Sequence, residues 1–211
     1  MTDTTSILFF LGSVIAISLT GVMMPGPVTA VTVTKGSNSK GAGALIAVGH
    51  GLIELPVIML IYFGLASFLE LNSVRAGVGL AGGLVLIWMA VRMLRNMPSV
   101  FDEHRETTHG SIVAGLATTA ANPYFFVWWA TVGAALLASA REFGGAGVAA
   151  MGVTHWLCDL GWLSLVSWAV FKSKPLWTQK LNRLVFGLCS VVLAGFGVWF
   201  IYSGIDLAVF S

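Results

Sequence analysis

The residues Ile7 to Thr34 read ILFFLGSVIAISLTGVMMPGPVTAVTVT and contain no charged side chain. About 20 consecutive apolar residues are enough for a helix to cross the hydrocarbon core of a bilayer. A run of this length therefore predicts a transmembrane helix. The Pro-Gly-Pro at 25–27 is expected to break that helix, because proline removes a backbone donor and clashes with the preceding turn.

The whole chain has the same apolar character. Of its 211 residues, 57% are hydrophobic and only 9% are charged, whereas soluble domains are about 25% charged. So little charge cannot cover a soluble particle, which excludes a soluble enzyme. A net charge of +2 without a basic stripe also excludes a nucleic-acid partner. We therefore predict an integral membrane protein whose surroundings are the lipid bilayer.

Five further charge-poor runs predict five more spans. Their approximate limits are Gly41–Leu69, Arg75–Arg92, Gly110–Ala140, Gly144–Phe171 and Leu184–Ile205. The runs are too long for barrel strands and lack strict alternation, so we predict an all-α protein with six transmembrane helices. The longest hydrophilic stretch, 96–110, would be a cytoplasmic linker between three helices in 1–95 and three in 111–211.

Positive charge sets the expected orientation of these helices. Nine of the eleven Lys and Arg residues fall in the loops after the first, third and fifth spans, and the other two are Arg75 and Arg141. Positively charged loops stay in the cytoplasm, so both termini should face outward across a bacterial or archaeal cytoplasmic membrane. Because three is an odd number, the two halves would have opposite orientations, as inverted repeats do.

The first and fourth spans are interrupted at corresponding places, Pro25-Gly26-Pro27 and Asn122-Pro123. Helical rise puts both interruptions about 15 Å from the cytoplasmic ends of their spans, near the middle of the membrane. Half-helix N-termini can hold an anionic group there, and freed carbonyls can hold a cation. We therefore interpret all five residues, Pro25, Gly26, Pro27, Asn122 and Pro123, as substrate-binding residues.

The second and fifth spans carry matching ionisable pairs. His50 precedes Glu54 by four residues, as His155 precedes Asp159, so each pair shares one helix face. Carboxylates inside a membrane are costly and typical of ion pathways or proton relays. We predict that Glu54 and Asp159 receive a proton or the ammonium group of the substrate, and that both histidines contribute to substrate binding. The alternative is that each pair only joins helices through a hydrogen bond.

The same four side chains allow a second hypothesis. If the second and fifth helices converge, His50, Glu54, His155 and Asp159 would provide the imidazole and carboxylate ligands that zinc-like ions prefer. The protein would then export a divalent metal ion. Under the first hypothesis we expect no metal and no cofactor.

Two other features receive structural interpretations. Cys158 and Cys189 lie in different spans without a Cys-x-x-Cys pair, which argues against a membrane oxidoreductase. Gly79-xxx-Gly83 predicts a close helix–helix contact within the protein rather than a dimer seam, and a homodimer is left open.

Several of these motifs are similar to those of the LysE-type family of amino-acid exporters. They are Met24-Pro25-Gly26-Pro27, the glycine-rich run Gly41–Gly49, and Gly115 through Asn122-Pro123. The resemblance covers nearly the whole chain. It implies a secondary transporter, not an enzyme, that exports amino acids or related small metabolites from the cytoplasm by proton-driven alternating access. Tyr124 departs from the lysine that many members have after Asn-Pro, which concerns the substrate more than the fold.

Overall fold

The computed structural model describes residues 4–24, 26–64, 68, 71–95, 108–176 and 178–210, and these residues form helices without any strand. The helices are α1 (Thr4–Val22), α2 (Pro27–Gly36), α3 (Ala42–Tyr62), α4 (Asn72–Arg95), α5 (Thr108–Ala120), α6 (Pro123–Trp128), α7 (Ala134–Arg141), α8 (Gly144–Ser173) and α9 (Gln179–Phe210). A π-helical turn, Trp129–Gly133, joins α6 to α7, and a 3₁₀ turn, Lys174–Leu176, follows α8. The all-α prediction is confirmed for this part of the chain.

The first predicted span is broken where the sequence indicates. Its two helices, α1 and α2, are bent by 79° relative to each other. Gly26 precedes α2 in an extended conformation, with φ −159° and ψ −171°, and Pro27 is the first helical residue. Proline suits this position because its missing N–H would have no intrahelical acceptor there. Pro25, the first residue of the predicted motif, lies outside the described residues.

The fourth predicted span is broken in a similar way. Asn122 is extended, with φ −106° and ψ 98°, and Pro123 begins α6. The side chain of Asn122 caps α6, because its Oδ1 accepts a hydrogen bond from the backbone N–H of Tyr124 at 3.1 Å. The break therefore has its own local cause, an N-cap followed by proline.

The predicted number of six spans is not confirmed by the helices that the structure describes. By length and composition, four helical segments among the described residues can cross a membrane, and a fifth if the bent pair α1–α2 counts as one span. The four segments are α3, α4, α9 and the continuous helix Pro123–Arg141. Helix α8 is about 45 Å long, but polar residues such as His155 and Asp159 lower its hydropathy. The arrangement of six spans stays a prediction.

The predicted linker, 96–110, overlaps the first residues of α5. Helix α5 begins at Thr108, so the last three residues of the predicted linker are helical. Residues 96–107 lie outside the described residues. The predicted division into 1–95 and 111–211 is otherwise untested.

Each half of the chain packs its broken helix against the other half. In the first half, α1 and α2 both pack on α8, whereas α5 and α7 of the second half pack on α3. Helices α3 and α8 also pack against each other, and α4 packs along α9. The two helices that carry the His–carboxylate pairs therefore lie side by side, with a break near each of them.

Glycines bring several helices into backbone contact. A Cβ atom built on Gly49 of α3 would lie 2.1 Å from the carbonyl oxygen of Ile112, and one on Gly115 of α5 would lie 2.2 Å from that of Ile46. No side chain fits at either position, so these glycines set the separation of α3 and α5.

The predicted contact face at Gly79 and Gly83 is used within the chain. A Cβ atom on Gly83 would lie 2.5 Å from the carbonyl oxygen of Gly197, and one on Gly79 would lie 2.9 Å from that of Phe200. Both acceptors belong to α9, so this face packs α4 against α9, as the sequence indicates.

We expect the substitution Gly115→Ala to lower the melting temperature of the detergent-solubilised protein. Alanine usually stabilises a helix interior by about 1 kcal/mol relative to glycine, but overpacking of a tight contact costs about 1–3 kcal/mol. The matched control is Gly161→Ala in α8, where a Cβ atom meets nothing within 4 Å. An equal rise in melting temperature for both variants would contradict the backbone contact between α3 and α5.

Candidate functional site

The two His–carboxylate pairs meet at the contact between α3 and α8. His155 Nε2 lies 3.0 Å from Glu54 Oε1 and 3.6 Å from Asp159 Oδ2. His50 Nε2 lies 3.4 Å from Glu54 Oε1 and 3.8 Å from Asp159 Oδ1. All four residues are buried. Each imidazole therefore faces the carboxylate of its own helix and that of the other helix, and we call these four residues the His–carboxylate cluster.

The opposite nitrogen of each imidazole contacts a hydroxyl group from the other half of the chain. His50 Nδ1 lies 2.8 Å from Thr119 Oγ1 of α5, and His155 Nδ1 lies 2.7 Å from Ser18 Oγ of α1. Both hydroxyls belong to the helix that precedes a break. Each broken helix is thus hydrogen-bonded to the ionisable pair of the opposite half.

The hydrogen bonds of Thr119 define the tautomer of His50. Thr119 Oγ1 donates its single proton to the carbonyl oxygen of Gly115 at 2.7 Å, so it must accept a hydrogen bond from His50 Nδ1–H. In a neutral His50 the lone pair of Nε2 then faces the two carboxylates. Within the described residues, Ser18 Oγ has no such carbonyl acceptor, so it can donate to His155 Nδ1 and leave an N–H at His155 Nε2.

The carboxylates are incompletely satisfied. Glu54 Oε1 and Asp159 Oδ2 are buried and make no hydrogen bond of normal geometry with the described residues, although imidazole nitrogens lie 3.0 to 3.6 Å away. A buried carboxylate without a partner costs several kcal/mol. An added positive charge, such as a proton, an ammonium group or a metal ion, would therefore stabilise the His–carboxylate cluster.

The cluster lies in the wall of a cavity of about 200 Å³. The predicted site residues that line this cavity are Gly26, Pro27, His50, Glu54, Asn122, His155 and Asp159. Pro123 lines a neighbouring cavity instead, and Pro25 lies outside the described residues. The fold thus brings both helix breaks and both ionisable pairs to one cavity.

Aromatic side chains form much of the remaining wall. They are Tyr124, Phe125, Trp128, Trp129, Phe196 and Trp199. Trp128 stacks on the His155 ring with centroids 5.0 Å apart and an interplanar angle of 28°, and Phe125 meets His50 edge to face. These contacts hold the imidazole rings and give the cavity an aromatic surface.

The π-helical turn after α6 gives Trp129 its place. Trp129 is buried and meets the His155 ring edge to face. A Cβ atom on Gly133 would lie 2.3 Å from the Trp129 ring, so only glycine fits there. The wide turn and Gly133 together allow the indole to pack against the cluster.

The two helix N-termini at the cavity differ. At α6 the Oδ1 of Asn122 already accepts a hydrogen bond from Tyr124 N–H. At α2 the cap residue is Gly26, which has no side chain to accept such a bond. A helix N-terminus has unpaired N–H groups and a positive partial charge. The N-terminus of α2 is therefore the more open of the two for an anionic group.

Sequence patterns do not reveal the two hydroxyl partners, Ser18 and Thr119. Both lie inside charge-free runs, and Thr119 is three residues before Asn122. A search for hydroxyl groups in the turns that precede the breaks would have selected them, but only the fold shows that each one reaches the opposite half.

Comparison with known proteins now decides the family. The chain matches the LysE type translocator family over residues 19–204. The chain belongs to this family. It is also 25% identical over 194 residues to the "Putative amino acid efflux protein YcgF" of Bacillus subtilis (strain 168). The aligned region covers 85% of this chain and 89% of that protein. No solved structure matches this chain.

Membership in the LysE type translocator family confirms the resemblance read from the sequence. Together with the apolar helices, it identifies a membrane transporter and not a soluble protein. The motifs at the two breaks lie within the matched residues, as does the whole His–carboxylate cluster.

In this LysE type translocator, we expect Asn122→Ala to destabilise the protein by about 1 kcal/mol, because α6 loses its N-cap. Asn122→Ser should retain most of the stability, since serine caps helices about as well as asparagine. The measurement is the melting temperature of both variants in detergent. Equal losses for alanine and serine would contradict a capping role for Asn122.

Proposed function

We propose that this protein is a secondary transporter that exports amino acids or related small metabolites across the cytoplasmic membrane in exchange for protons. The observation that carries the proposal is the central cavity, which joins both helix breaks to the His–carboxylate cluster. The similarity to a protein named as an amino acid efflux protein supports the class of substrate.

An amino acid has the two charges that this cavity can accommodate. Its ammonium group would bind between Glu54 and Asp159, whose buried oxygens need a positive partner. Its carboxylate would bind at the N-terminus of α2, where Gly26 leaves the first-turn N–H groups uncapped. A volume of about 200 Å³ is smaller than the ~300–1,000 Å³ typical of ligand pockets, which favours a small solute.

The same carboxylates would couple export to the movement of protons. An ammonium group and a proton would each supply the positive charge that the cluster requires, and both would occupy the same oxygens. Binding of one would displace the other, so the outward passage of substrate would be linked to the inward passage of a proton. His50 and His155 would hold the carboxylates in place and share the proton.

Two further cavities suggest the route of the substrate. A cavity of about 400 Å³ includes Lys35 and Arg92, at the side that positive charge assigns to the cytoplasm. Another, of about 240 Å³, includes Arg75 and shares Tyr124 and Trp199 with the central cavity. The substrate would enter past the first and leave past Tyr124 and Trp199 into the second, and the basic residues would attract its carboxylate.

Alternating access would depend on the contacts that each half makes when it packs its broken helix against the other half. We propose two inverted three-helix repeats, the first within 1–95 and the second within 111–211, with both termini outside. The contacts of α1 and α2 with α8, and of α5 and α7 with α3, are those expected of such repeats. Rocking of one half against the other would move Ser18 and Thr119 relative to the histidines that they contact.

Export of a divalent metal ion is the second candidate function. The convergence of two imidazoles and two carboxylates favours it. The aromatic wall of the cavity and the similarity to an amino acid efflux protein favour an amino acid as the exported solute.

The test is transport by the purified protein in proteoliposomes that carry a proton gradient. We expect gradient-driven flux of at least one amino acid from a pooled screen, and loss of this flux when an ionophore removes the gradient. Glu54→Gln combined with Asp159→Asn should lower the flux at least about tenfold, because intramembrane carboxylates are typical proton carriers. Asp206→Asn, at an exposed acidic residue in α9, is the matched control.

Three results would contradict parts of this proposal. Unchanged flux in the double variant removes the carboxylates from the mechanism. Flux that persists without a proton gradient removes proton coupling. Gradient-driven Zn²⁺ flux without amino-acid flux would support the second candidate function instead.

A further inference from the structure

We infer that His50, Glu54 and Asp159 form a binding site for one zinc-like divalent metal ion. One ligand atom from each of the three residues lies within 4.8 Å of the others. His50 Nε2 is 3.4 Å from Glu54 Oε1 and 3.8 Å from Asp159 Oδ1. Zinc ligands at 2.0–2.2 Å in a tetrahedron lie about 3.3–3.6 Å apart, so small side-chain movements would complete the site.

The hydrogen bond at Nδ1 of His50 prepares its other nitrogen for a metal ion. Because Thr119 donates to Gly115, His50 must donate its Nδ1–H to Thr119. The lone pair of Nε2 in the neutral imidazole then points toward Glu54 and Asp159. Metal-bound histidines usually donate their second ring nitrogen to a fixed acceptor in this way.

His155 has a different role, as an outer partner of Glu54. Its Nδ1 can accept a hydrogen bond from Ser18 Oγ, which leaves an N–H on Nε2. That nitrogen lies 3.0 Å from Glu54 Oε1, so a small rotation would let its N–H donate to this oxygen and orient the carboxylate instead of binding the ion. The site therefore has three protein ligands, and its fourth position faces the central cavity, where a water molecule completes the coordination.

Charge and ligand type select the ion. One buried oxygen of each carboxylate, Glu54 Oε1 and Asp159 Oδ2, has no hydrogen bond of normal geometry among the described residues, and a divalent ion would neutralise both carboxylates. Imidazole favours zinc-like ions, whereas magnesium and calcium prefer oxygen ligands alone.

A bound ion would occupy the place that the proposed function gives to the ammonium group and the proton. This consequence rests on the proposed function, and it makes the ion an inhibitor of export. The metal site itself is independent of transport, since it can be measured on protein in detergent without a gradient.

The experiment titrates Zn²⁺ into the metal-free full chain, purified with an affinity tag that contains no histidine, and follows the heat of binding. Co²⁺ is the spectroscopic probe, because a tetrahedral site gives intense visible absorption. We expect one ion per chain. His50→Gln or Asp159→Asn should weaken binding at least about 100-fold, whereas His155→Gln should weaken it about 10- to 100-fold without changing the stoichiometry.

Two further variants separate the site from general effects of substitution. His109→Gln, at the beginning of α5 and outside the cluster, should leave Zn²⁺ affinity unchanged. Thr119→Val keeps every metal ligand but removes the acceptor of His50 Nδ1–H, so it should weaken binding about tenfold. Thr119→Ser keeps a hydroxyl group at this position and should therefore bind Zn²⁺ with the affinity of the original protein.

The metal site would be overturned if the protein shows no saturable Zn²⁺ binding below about 1 mM. It would also be overturned if the His50→Gln and Asp159→Asn variants bind Zn²⁺ with the same affinity as the original protein. A protein that exports amino acids but binds no Zn²⁺ overturns only the metal site. A protein that binds Zn²⁺ with the expected variant pattern but exports no amino acid supports the metal site and overturns the proposed function.

Discussion

Two carboxylates buried between α3 and α8 impose the constraint on which the rest of the site depends. Glu54 and Asp159 cannot both be charged in this position without a compensating positive group. Each of the two imidazoles lies within 4 Å of both carboxylates. The four side chains therefore form one contiguous ionisable cluster.

The backbone supplies the other half of the site. Two helices end close to the cluster because an extended residue and a proline interrupt them, at Gly26-Pro27 and Asn122-Pro123. One of the resulting N-termini is capped by its own asparagine, and the other is open. The cavity wall therefore contains buried carboxylates and also an uncapped helix N-terminus with its positive partial charge.

Hydrogen bonds between the two halves of the chain connect the His–carboxylate cluster to the helix breaks. The hydroxyl groups of Ser18 and Thr119 sit on helices that lead into the breaks, yet they bind the histidines of the opposite half. A change in the position of either broken helix would alter the hydrogen bond at Nδ1, and with it the protons available at Nε2. The structure thus connects each broken helix to the cluster through one hydrogen bond.

Much of this arrangement could be predicted from the sequence because its causes are local. Proline and its neighbours set the breaks, and the spacing of four residues puts each histidine on the same face as its carboxylate. The convergence of the two pairs could not be predicted, since it depends on how α3 and α8 pack. The partners Ser18 and Thr119 were missed for the same reason, because a hydroxyl group in an apolar run has no periodic signal.

The number of spans is hard to predict because one helix carries several polar residues. The sequence predicts a span at α8 from its low charge, but polar residues such as His155 and Asp159 lower the hydropathy of this helix. The capping bond of Asn122 was likewise not anticipated, because the residue was interpreted only as a ligand. A buried polar residue can thus weaken the apolar pattern that predicts its helix.

The most direct test of this account is cysteine cross-linking of the two hydroxyl–histidine contacts between the halves of the chain. Both native cysteines are first removed by Cys158→Ala and Cys189→Ala. One variant then combines Ser18→Cys with His155→Cys, and a second combines Thr119→Cys with His50→Cys. Each variant is treated with a short thiol cross-linker, and single-cysteine variants are the controls. We expect both pairs to form an intramolecular link within one chain. Failure of both pairs to react in folded protein would contradict the convergence of the two halves on one cluster.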